Sequence, residues 1–275
     1  HWIQQRNSIL NRFFIVTEMQ QNHQTMNSVF YRSIILKRNL NFKISVLMVN
    51  LFGWARNTDH HYLNLISQES SYDDWDWLLG VNLHGVINGV QTFVPRMVER
   101  VKAGTQTGGH VINTASMAGF LSSAQPGIYN TTKAAVRALS ESLRYSLLQY
   151  GIGVSVLCPG LVKSVIYASD DLRPEALKGA MKPVDTAMVE RLQGVHEYGM
   201  EPDVIGQRTI EAVKANRLYI FSHPDHKDEL REVFDYILDH YQDYPKDPGH
   251  DQRVAFEKFR YDAGAEARRR SLAAE

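Results

Sequence analysis

Short apolar runs alternate with helical patterns between residues 43 and 222, and this alternation constrains the fold more than any other feature of the chain. The apolar runs, which we predict to be strands, are 43–49, 110–115, 153–158 and 218–222. The segments that we predict to be helices are 72–101, 128–150 and 202–215. Strands that alternate with helices are typical of an α/β protein with a parallel sheet. We therefore expect a Rossmann-like, doubly wound parallel sheet, in which ligands bind beyond the carboxyl ends of the strands.

The first long helix carries clear signals at its beginning and in its interior. Ser71 is placed to cap the helix, and Asp73 and Asp74 lie in its first turn, where acidic side chains are favoured. Pro95 lies well inside the helical pattern and is expected to kink or divide it. The pattern therefore predicts a helix that begins at Tyr72 and is irregular near Pro95.

Composition indicates one globular domain and argues against several classes of partner. The 275 residues hold 30 acidic and 30 basic side chains, so no nucleic acid partner is expected. The longest apolar run, Ile44–Val49, is far shorter than the ~20 residues of a membrane span, so no membrane partner is expected either. Cys158 is the only cysteine, which excludes an intramolecular disulfide and fits a reducing, cytoplasmic compartment.

Tyr129 and Lys133 form the first candidate catalytic pair. They lie four residues apart on a predicted helix, so both side chains lie on one face. A phenol with a pKa near ~10 is a poor base at neutral pH, but a neighbouring ammonium favours the phenolate. The tyrosine could then exchange a proton with a substrate hydroxyl or carbonyl group. The alternative is a chance spacing on an exposed helix, and only the surrounding residues can decide between the two.

Three further features lie where a parallel sheet would bring them close to this pair. Ser116 follows a predicted strand, and its hydroxyl could bind a reacting oxygen or simply cap a loop. Asn82 lies inside an apolar helical pattern, where an amide side chain needs a partner. The stretch CPGLVKS turns sharply at Pro159 and Gly160 after the next strand. Both loops are expected at the ligand-binding edge of the sheet.

Taken in order, the segments VNLHG, INTASMAG, YNTTK and CPG resemble the short-chain dehydrogenase/reductase family over about 150 residues. The resemblance implies that Tyr129 is the general acid/base and that Lys133 lowers its pKa and holds the cofactor ribose. It implies that Ser116 positions the substrate oxygen. Asn82 would support a water molecule that links Lys133 to solvent.

The same resemblance implies a nicotinamide cofactor, NAD or NADP, that exchanges a hydride with the substrate carbon. Tyr129 and Lys133 would contact this cofactor too. The other cofactor-binding residues implied by the family pattern lie in the loop after the third predicted strand: Pro159, Gly160, Val162 and Ser164.

The resemblance further implies a small-molecule alcohol or ketone substrate and a homodimer or homotetramer. Within the family, 70–97 and 151–164 look similar to bacterial aryl-alcohol Cα-dehydrogenases, so a bulky apolar or aromatic substrate is expected. An irregular segment, 165–199, is expected to cover it. Its bulky side chains are Ile166, Tyr167, Leu172, Met181, Met188 and Tyr198.

Oligomerisation is also expected from apolar surface on two helices, beyond the stripe that one buried helix face needs. The side chains concerned are Trp75, Trp77, Leu78, Leu79, Val136, Leu139, Leu143 and Leu147.

The amino-terminal part departs from the family pattern. The family binds the cofactor diphosphate with a glycine-rich turn after its first strand, yet no glycine precedes Gly53 in this chain. We therefore divide the chain into an atypical segment 1–70, a catalytic region 71–241 and a polar tail 242–275 that wraps the surface or frays. A charged helix is expected over 224–240 within the catalytic region.

Two explanations of this departure are open. In the first, the atypical segment is foreign sequence, joined to a genuine enzyme region by a frameshift, altered splicing or an assembly error. In the second, the chain is a catalytically silent relative that has lost nucleotide binding and acts through dimerisation. The abrupt change in composition favours the first explanation. The retention of Asn82, Ser116, Tyr129 and Lys133 favours an enzymatic ancestry.

We predict that the chain as printed binds NAD(H) and NADP(H) poorly. Backbone N–H groups in a tight turn are needed to hold a diphosphate, and basic residues such as Arg32, Lys37 and Arg38 do not replace that turn. Calorimetric titration with each of the four nucleotides measures the affinity. Dissociation constants in the low micromolar range would contradict this prediction.

Overall fold

Five parallel strands form one sheet in sequence order. The structure, a computed structural model, describes residues 13–16, 45–49, 71–122, 127–178 and 186–273. The rest of the atypical segment 1–70 lies outside the described residues. The strands are β1 (Phe13–Val16), β2 (Ser45–Val49), β3 (Gly109–Thr114), β4 (Ile152–Leu157) and β5 (Tyr219–Ile220). Parallel pairing confirms the predicted α/β class.

Seven α-helices accompany the strands in the described part of the chain. They are α1 (Tyr72–Leu78), α2 (Gly85–Lys102), α3 (Gly127–Leu147), α4 (Thr186–His196), α5 (Pro202–Lys214), α6 (Lys227–Leu238) and α7 (His250–Ala273). A π-helical segment, Leu79–His84, joins α1 to α2 without a break. Among the described segments, no helix combines the length and the hydropathy that crossing a bilayer requires.

Helices cover both faces of the sheet, as a doubly wound architecture requires. Every residue of β3 and β4 is buried. Val111 packs on one side with residues of α2 and α3, whereas its neighbour Ile112 packs on the other side with Ile205 and Ala212 of α5. Successive side chains of a strand point to opposite faces, so this division follows from the pleat. The buried strands place their carboxyl ends at one edge of the molecule.

The first long helix begins where it was predicted, but its irregular part is the π-helical segment Leu79–His84 and not the turn around Pro95. Ser71 Oγ accepts a hydrogen bond from the Asp74 amide at 3.3 Å, and the Ser71 amide donates to the Asp74 carboxylate at 2.7 Å. This reciprocal capping fixes the start at Tyr72. Pro95 does not divide the helix, because α2 runs through it on its exposed face. A carbonyl that loses its amide partner there can bind water instead.

Several expectations outside the sheet need correction. Part of the segment expected to be irregular forms α4, and the tail, which was expected to wrap the surface or fray, carries the long helix α7. A run without an apolar stripe gives no periodic signal, so the sequence pattern missed the tail helix. The expected helix over 224–240 is confirmed as a short 3₁₀ turn, Pro224–His226, followed by α6.

The apolar side chains that were expected to drive oligomerisation are largely used within the chain. Trp77, Leu78, Val136 and Leu147 are buried, so they contribute nothing to an exposed patch. The other four, Trp75, Leu79, Leu139 and Leu143, are half-buried. Both helices therefore pack more of their surface against the same chain than their sequences indicated, and oligomerisation stays a prediction that rests on the family resemblance.

A polar cluster joins β3, β4 and α3 at the opposite edge of the sheet from the loops that follow these strands. His110 lies within 2.7 Å of the Ser155 hydroxyl, which donates to the Arg217 carbonyl oxygen at 2.5 Å. The fully buried Arg144 donates to the side chain and the backbone carbonyl of Asn216 at 2.6 and 2.8 Å. Burial, assisted by the nearby Arg144 charge, lowers the pKa of His110 from 6.5 to about 3.

We predict that His110 makes the fold sensitive to acid. Its folded pKa lies below its unfolded value, so the stability it contributes is complete above pH 6.5 and is lost as the pH falls toward 3. Between pH 7 and pH 5 this loss amounts to about 2 kcal/mol. Urea unfolding should show that the free energy of unfolding falls less between pH 7 and pH 5 in His110→Gln than in the parent. Equal losses would contradict the assignment.

Candidate active site

Tyr129 and Lys133 lie on the buried face of α3, close to its amino-terminal end. Their relative exposures are 4% and 1%, and the Lys133 Nζ atom lies 5.5 Å from the centroid of the Tyr129 ring. The spacing of four residues stacks the two side chains on one face of the helix. The structure thus brings together the pair that the sequence predicted and excludes the alternative of an exposed helix face.

Lys133 reaches from α3 to the carboxyl end of β3. Its Nζ atom donates a hydrogen bond to the Thr114 carbonyl oxygen at 3.3 Å. Burial lowers the pKa of Lys133 from 10.5 to about 8, and the Cys158 thiol opposes this shift. The ammonium form is costly in so dry a position, which is why its pKa moves close to physiological pH. A proton at Lys133 is therefore exchanged far more readily than at an ordinary lysine.

Ser116 lies in the Ser116 loop, residues 116–119, which follows β3. Its Oγ atom accepts from the Ala118 amide at 3.2 Å and donates to the Pro159 carbonyl oxygen at 3.4 Å. The Met117 amide also donates to Pro159, at 2.9 Å. The loops that follow β3 and β4 are thus joined directly, and Ser116 is held at the point where they meet.

Gly119 allows the Ser116 loop to pack against α3 next to Lys133. A Cβ atom built on Gly119 would lie 2.9 Å from the Lys133 carbonyl oxygen and 3.1 Å from its carbonyl carbon, which is too close for any larger residue. The helix with Tyr129 and Lys133 therefore touches the loop that carries Ser116. These contacts bring the three predicted catalytic residues to one edge of the sheet.

Asn82 lies in the π-helical segment and is fully buried. Its Nδ2 atom donates to the Thr132 hydroxyl at 3.1 Å, and that hydroxyl donates to the Tyr129 carbonyl oxygen at 2.8 Å. A π-helical turn often marks a functional site, because the extra residue redirects a side chain. Sequence reasoning missed Thr132, although its place immediately before Lys133 in the YNTTK segment was a usable signal.

The Pro159 loop, residues 159–164, contains the residues expected to face a nicotinamide. Val162 is buried and pairs with Met200 in a short parallel bridge. The Ser164 Oγ atom is buried and has no hydrogen-bond partner among the described residues. An unsatisfied hydroxyl at this position fits the carboxamide of a nicotinamide, which offers both a donor and an acceptor. The residues present therefore fit the nicotinamide end of the cofactor.

A buried ion pair that the sequence did not reveal holds the segment expected to cover the substrate. Arg173 Nη1 lies 2.6 Å from the Asp74 carboxylate, and its guanidinium lies 5.1 Å from the Trp77 ring. Arg173 also donates to the Leu177 carbonyl oxygen at 2.7 Å. The segment after the Pro159 loop is thereby attached to the beginning of α1.

The side chains expected to cover the substrate have different environments. Ile166 is buried, whereas Leu172 and Tyr198 are exposed. The ring centroid of Tyr167 lies 5.8 Å from that of His196. Met181 and the Met188 side chain lie outside the described residues. Their role stays a prediction.

Comparisons with known proteins agree with this geometry. The family model for short chain dehydrogenases matches residues 48–173. A short-chain dehydrogenase structure from Novosphingobium aromaticivorans is 62% identical, with a TM-score of 0.64, and the alignment covers 82% of this chain and 69% of that chain. A short chain dehydrogenase/reductase from Burkholderia phymatum, solved in complex with NAD, is 32% identical with a TM-score of 0.61, covering 75% and 70% of the two chains.

The chain therefore belongs to the short-chain dehydrogenase/reductase family of oxidoreductases. Among curated relatives, the C alpha-dehydrogenase of Sphingobium sp. SYK-6 is 38% identical over 188 residues, which make up 68% of this chain and 60% of that protein. The chain thus spans less than two thirds of the length of this relative. The predicted similarity to the Cα-dehydrogenase group is confirmed.

We predict that Lys133→Met raises stability at neutral pH. The folded pKa of Lys133 lies below its unfolded value, so the stability of the parent falls as the pH drops from 10.5 to about 8 and stays low below that range. Removing the charge should raise the free energy of unfolding by about 1–3 kcal/mol at pH 7, after allowance for the lost hydrogen bond to Thr114. Denaturant unfolding at pH 7 and pH 10 should show the gain shrinking at pH 10. A variant less stable than the parent at pH 7 would contradict the burial of a charge.

Proposed function

We propose that the protein is an NAD- or NADP-dependent oxidoreductase that interconverts a secondary alcohol and a ketone, with Tyr129 as the general acid/base. The observation that carries this proposal is the Lys133 ammonium, buried 5.5 Å from the Tyr129 ring at the carboxyl edge of the sheet. A structural role would not require a lysine in so dry a position, because removing its charge would favour folding.

Tyr129 gives a proton to a ketone oxygen in one direction and takes it from an alcohol in the other. Lys133 favours the phenolate form while it is charged, and its own pKa of about 8 keeps a large charged fraction at neutral pH. The nicotinamide, when bound, supplies or accepts the hydride.

Ser116 and Asn82 each support this proton exchange through a separate set of contacts. The bond from Ser116 to Pro159 is long, at 3.4 Å, so the hydroxyl can turn to a substrate oxygen at little cost. Asn82 acts through Thr132, whose hydroxyl donates a hydrogen bond to the carbonyl oxygen of Tyr129 itself. We assign Asn82 to the solvent side of Lys133, as in the family pattern.

Pro159, Gly160, Val162 and Ser164 would hold the nicotinamide, and Tyr129 and Lys133 would contact the adjoining ribose. The buried Ser164 hydroxyl, unsatisfied within the described residues, supports this assignment. NAD is bound in the Burkholderia phymatum relative, which favours NAD or NADP as the cofactor class.

The substrate class follows from the relatives rather than from a described cavity. The Sphingobium relative is named a C alpha-dehydrogenase, and together with the resemblance to bacterial aryl-alcohol dehydrogenases this supports an aromatic alcohol or ketone as the substrate. The segment attached by Arg173 to Asp74 would cover such a substrate. We further propose a homodimer or homotetramer that acts on a small molecule in the cytoplasm.

We predict that Tyr129→Phe lowers kcat by at least ~100-fold, the scale on which a general acid/base contributes. The measurement needs a form of the enzyme with a working nucleotide site. Tyr145→Phe, a matched change on the same helix outside the site, should leave kcat within about twofold. Near-normal turnover of the Tyr129 variant would remove Tyr129 from the mechanism.

A further inference from the structure

His223 contacts two successive residues of the Pro159 loop with its two ring nitrogens. It is buried, with a relative exposure of 6%, and lies shortly after β5. The Gly160 amide donates to His223 Nδ1 at 3.0 Å, and the Leu161 carbonyl oxygen lies 2.7 Å from His223 Nε2. One imidazole thus binds two peptide groups of the loop, the one that precedes Gly160 and the one that follows Leu161.

These contacts determine the protonation state of the ring. A backbone amide can only donate, so Nδ1 must be the unprotonated acceptor. A backbone carbonyl can only accept, so Nε2 must carry the hydrogen. The two bonds therefore require a neutral imidazole with its proton on Nε2, and no other state of the ring satisfies both.

The surroundings of the ring leave this arrangement intact. The Ser222 hydroxyl lies 2.9 Å from Nδ1, whose single lone pair it shares with the Gly160 amide, and the Ser222 carbonyl oxygen accepts from Arg208 of α5. The ring of His226 lies 6.2 Å away, centroid to centroid, and its own Nδ1 lies 3.4 Å from the Glu229 carboxylate. Neither Arg208, which binds the neighbouring Ser222 carbonyl oxygen, nor His226 is an acidic group that would hold a proton on Nδ1.

Gly160 is also sterically adapted to this neighbour. A Cβ atom built on Gly160 would lie 2.5 Å from His226 Nε2 and 3.1 Å from His223 Cγ. Only a glycine lets the loop approach the two histidines so closely without displacing them. The contact between loop and ring is therefore tight as well as hydrogen-bonded.

We propose that His223 is a positioning residue that fixes the Pro159 loop in the conformation that faces the nicotinamide. The inference rests on the proposed function, because only a bound nicotinamide makes the loop part of the site.

The first test needs neither a variant nor a cofactor. The chain labelled with ¹⁵N in its histidines should show, at pH 8, a His223 ring with an unprotonated Nδ1 and a protonated Nε2. The opposite tautomer, or an average of the two, would overturn the assignment whether or not the protein is an enzyme.

The second test separates the two bonds by substitution. His223→Asn keeps an acceptor near the Nδ1 position, His223→Gln keeps a donor near the Nε2 position, and His223→Phe keeps only the ring. Exchange of the Gly160 amide with solvent should accelerate at least ~10-fold in the Gln and Phe variants but not in the Asn variant. Equal exchange in all three variants and the parent would overturn the proposal.

The third test uses a form with a working nucleotide site. The KM for the cofactor should rise at least ~10-fold in His223→Phe, with a smaller change in kcat, and the Asn variant should recover most of it.

The outcomes distinguish this inference from the proposed function. An unchanged cofactor KM in His223→Phe, in an enzyme that still depends on Tyr129, would overturn the positioning role alone. If the form with a working nucleotide site binds the cofactor but shows no turnover, the proposed function is overturned, and with it the link between loop and cofactor. The tautomer is tested independently by the first experiment.

Discussion

The burial of Lys133 beside Tyr129 is the interaction on which the rest of the site depends. A side chain with a relative exposure of 1% and a pKa lowered to about 8 is unfavourable for folding, and the Thr114 carbonyl oxygen compensates only in part. The sheet and α3 must therefore hold this lysine in place against its own tendency to reach water. That requirement explains why the groups that contact Lys133 are themselves buried.

The register of the sheet supplies those contacts. β3 and β4 pair so that Thr114 lies beside Leu157. Both strands therefore end at the same level of the sheet, and the loops that follow them begin next to each other. The Ser116 loop then meets the Pro159 loop through the Met117 amide, and Gly119 meets α3 at Lys133. A displacement of β3 by one residue would move Ser116 relative to Tyr129 and Lys133 on α3, so the geometry of the proposed catalytic residues depends on strand pairing.

Much of this arrangement could be predicted from the sequence, because it depends on periodicity and on local spacing. The strands around His110 and Gly153, the cap at Ser71, and the shared face of Tyr129 and Lys133 all follow from patterns within a few residues. The partners that were missed are distant in sequence: Thr132 for Asn82, Arg173 for Asp74, and His223 for the Pro159 loop. Their pairing depends on tertiary packing that no local pattern records, and α7 escaped because it lacks an apolar stripe.

The central claim is that residues 71–222 form a working catalytic half that lacks only a recognisable nucleotide half. It can be tested by joining residues 71–275 to the amino-terminal half of the Novosphingobium aromaticivorans relative, which is 62% identical over the region it shares with this chain. The fusion protein would be incubated with an aryl ketone and nicotinamide cofactor deuterated at the transferable position. The account predicts an alcohol that carries deuterium at the carbinol carbon, and loss of this product when Tyr129 is replaced by Phe. A folded, cofactor-binding fusion protein that yields no deuterated alcohol, or one that yields it equally well without Tyr129, would contradict the account.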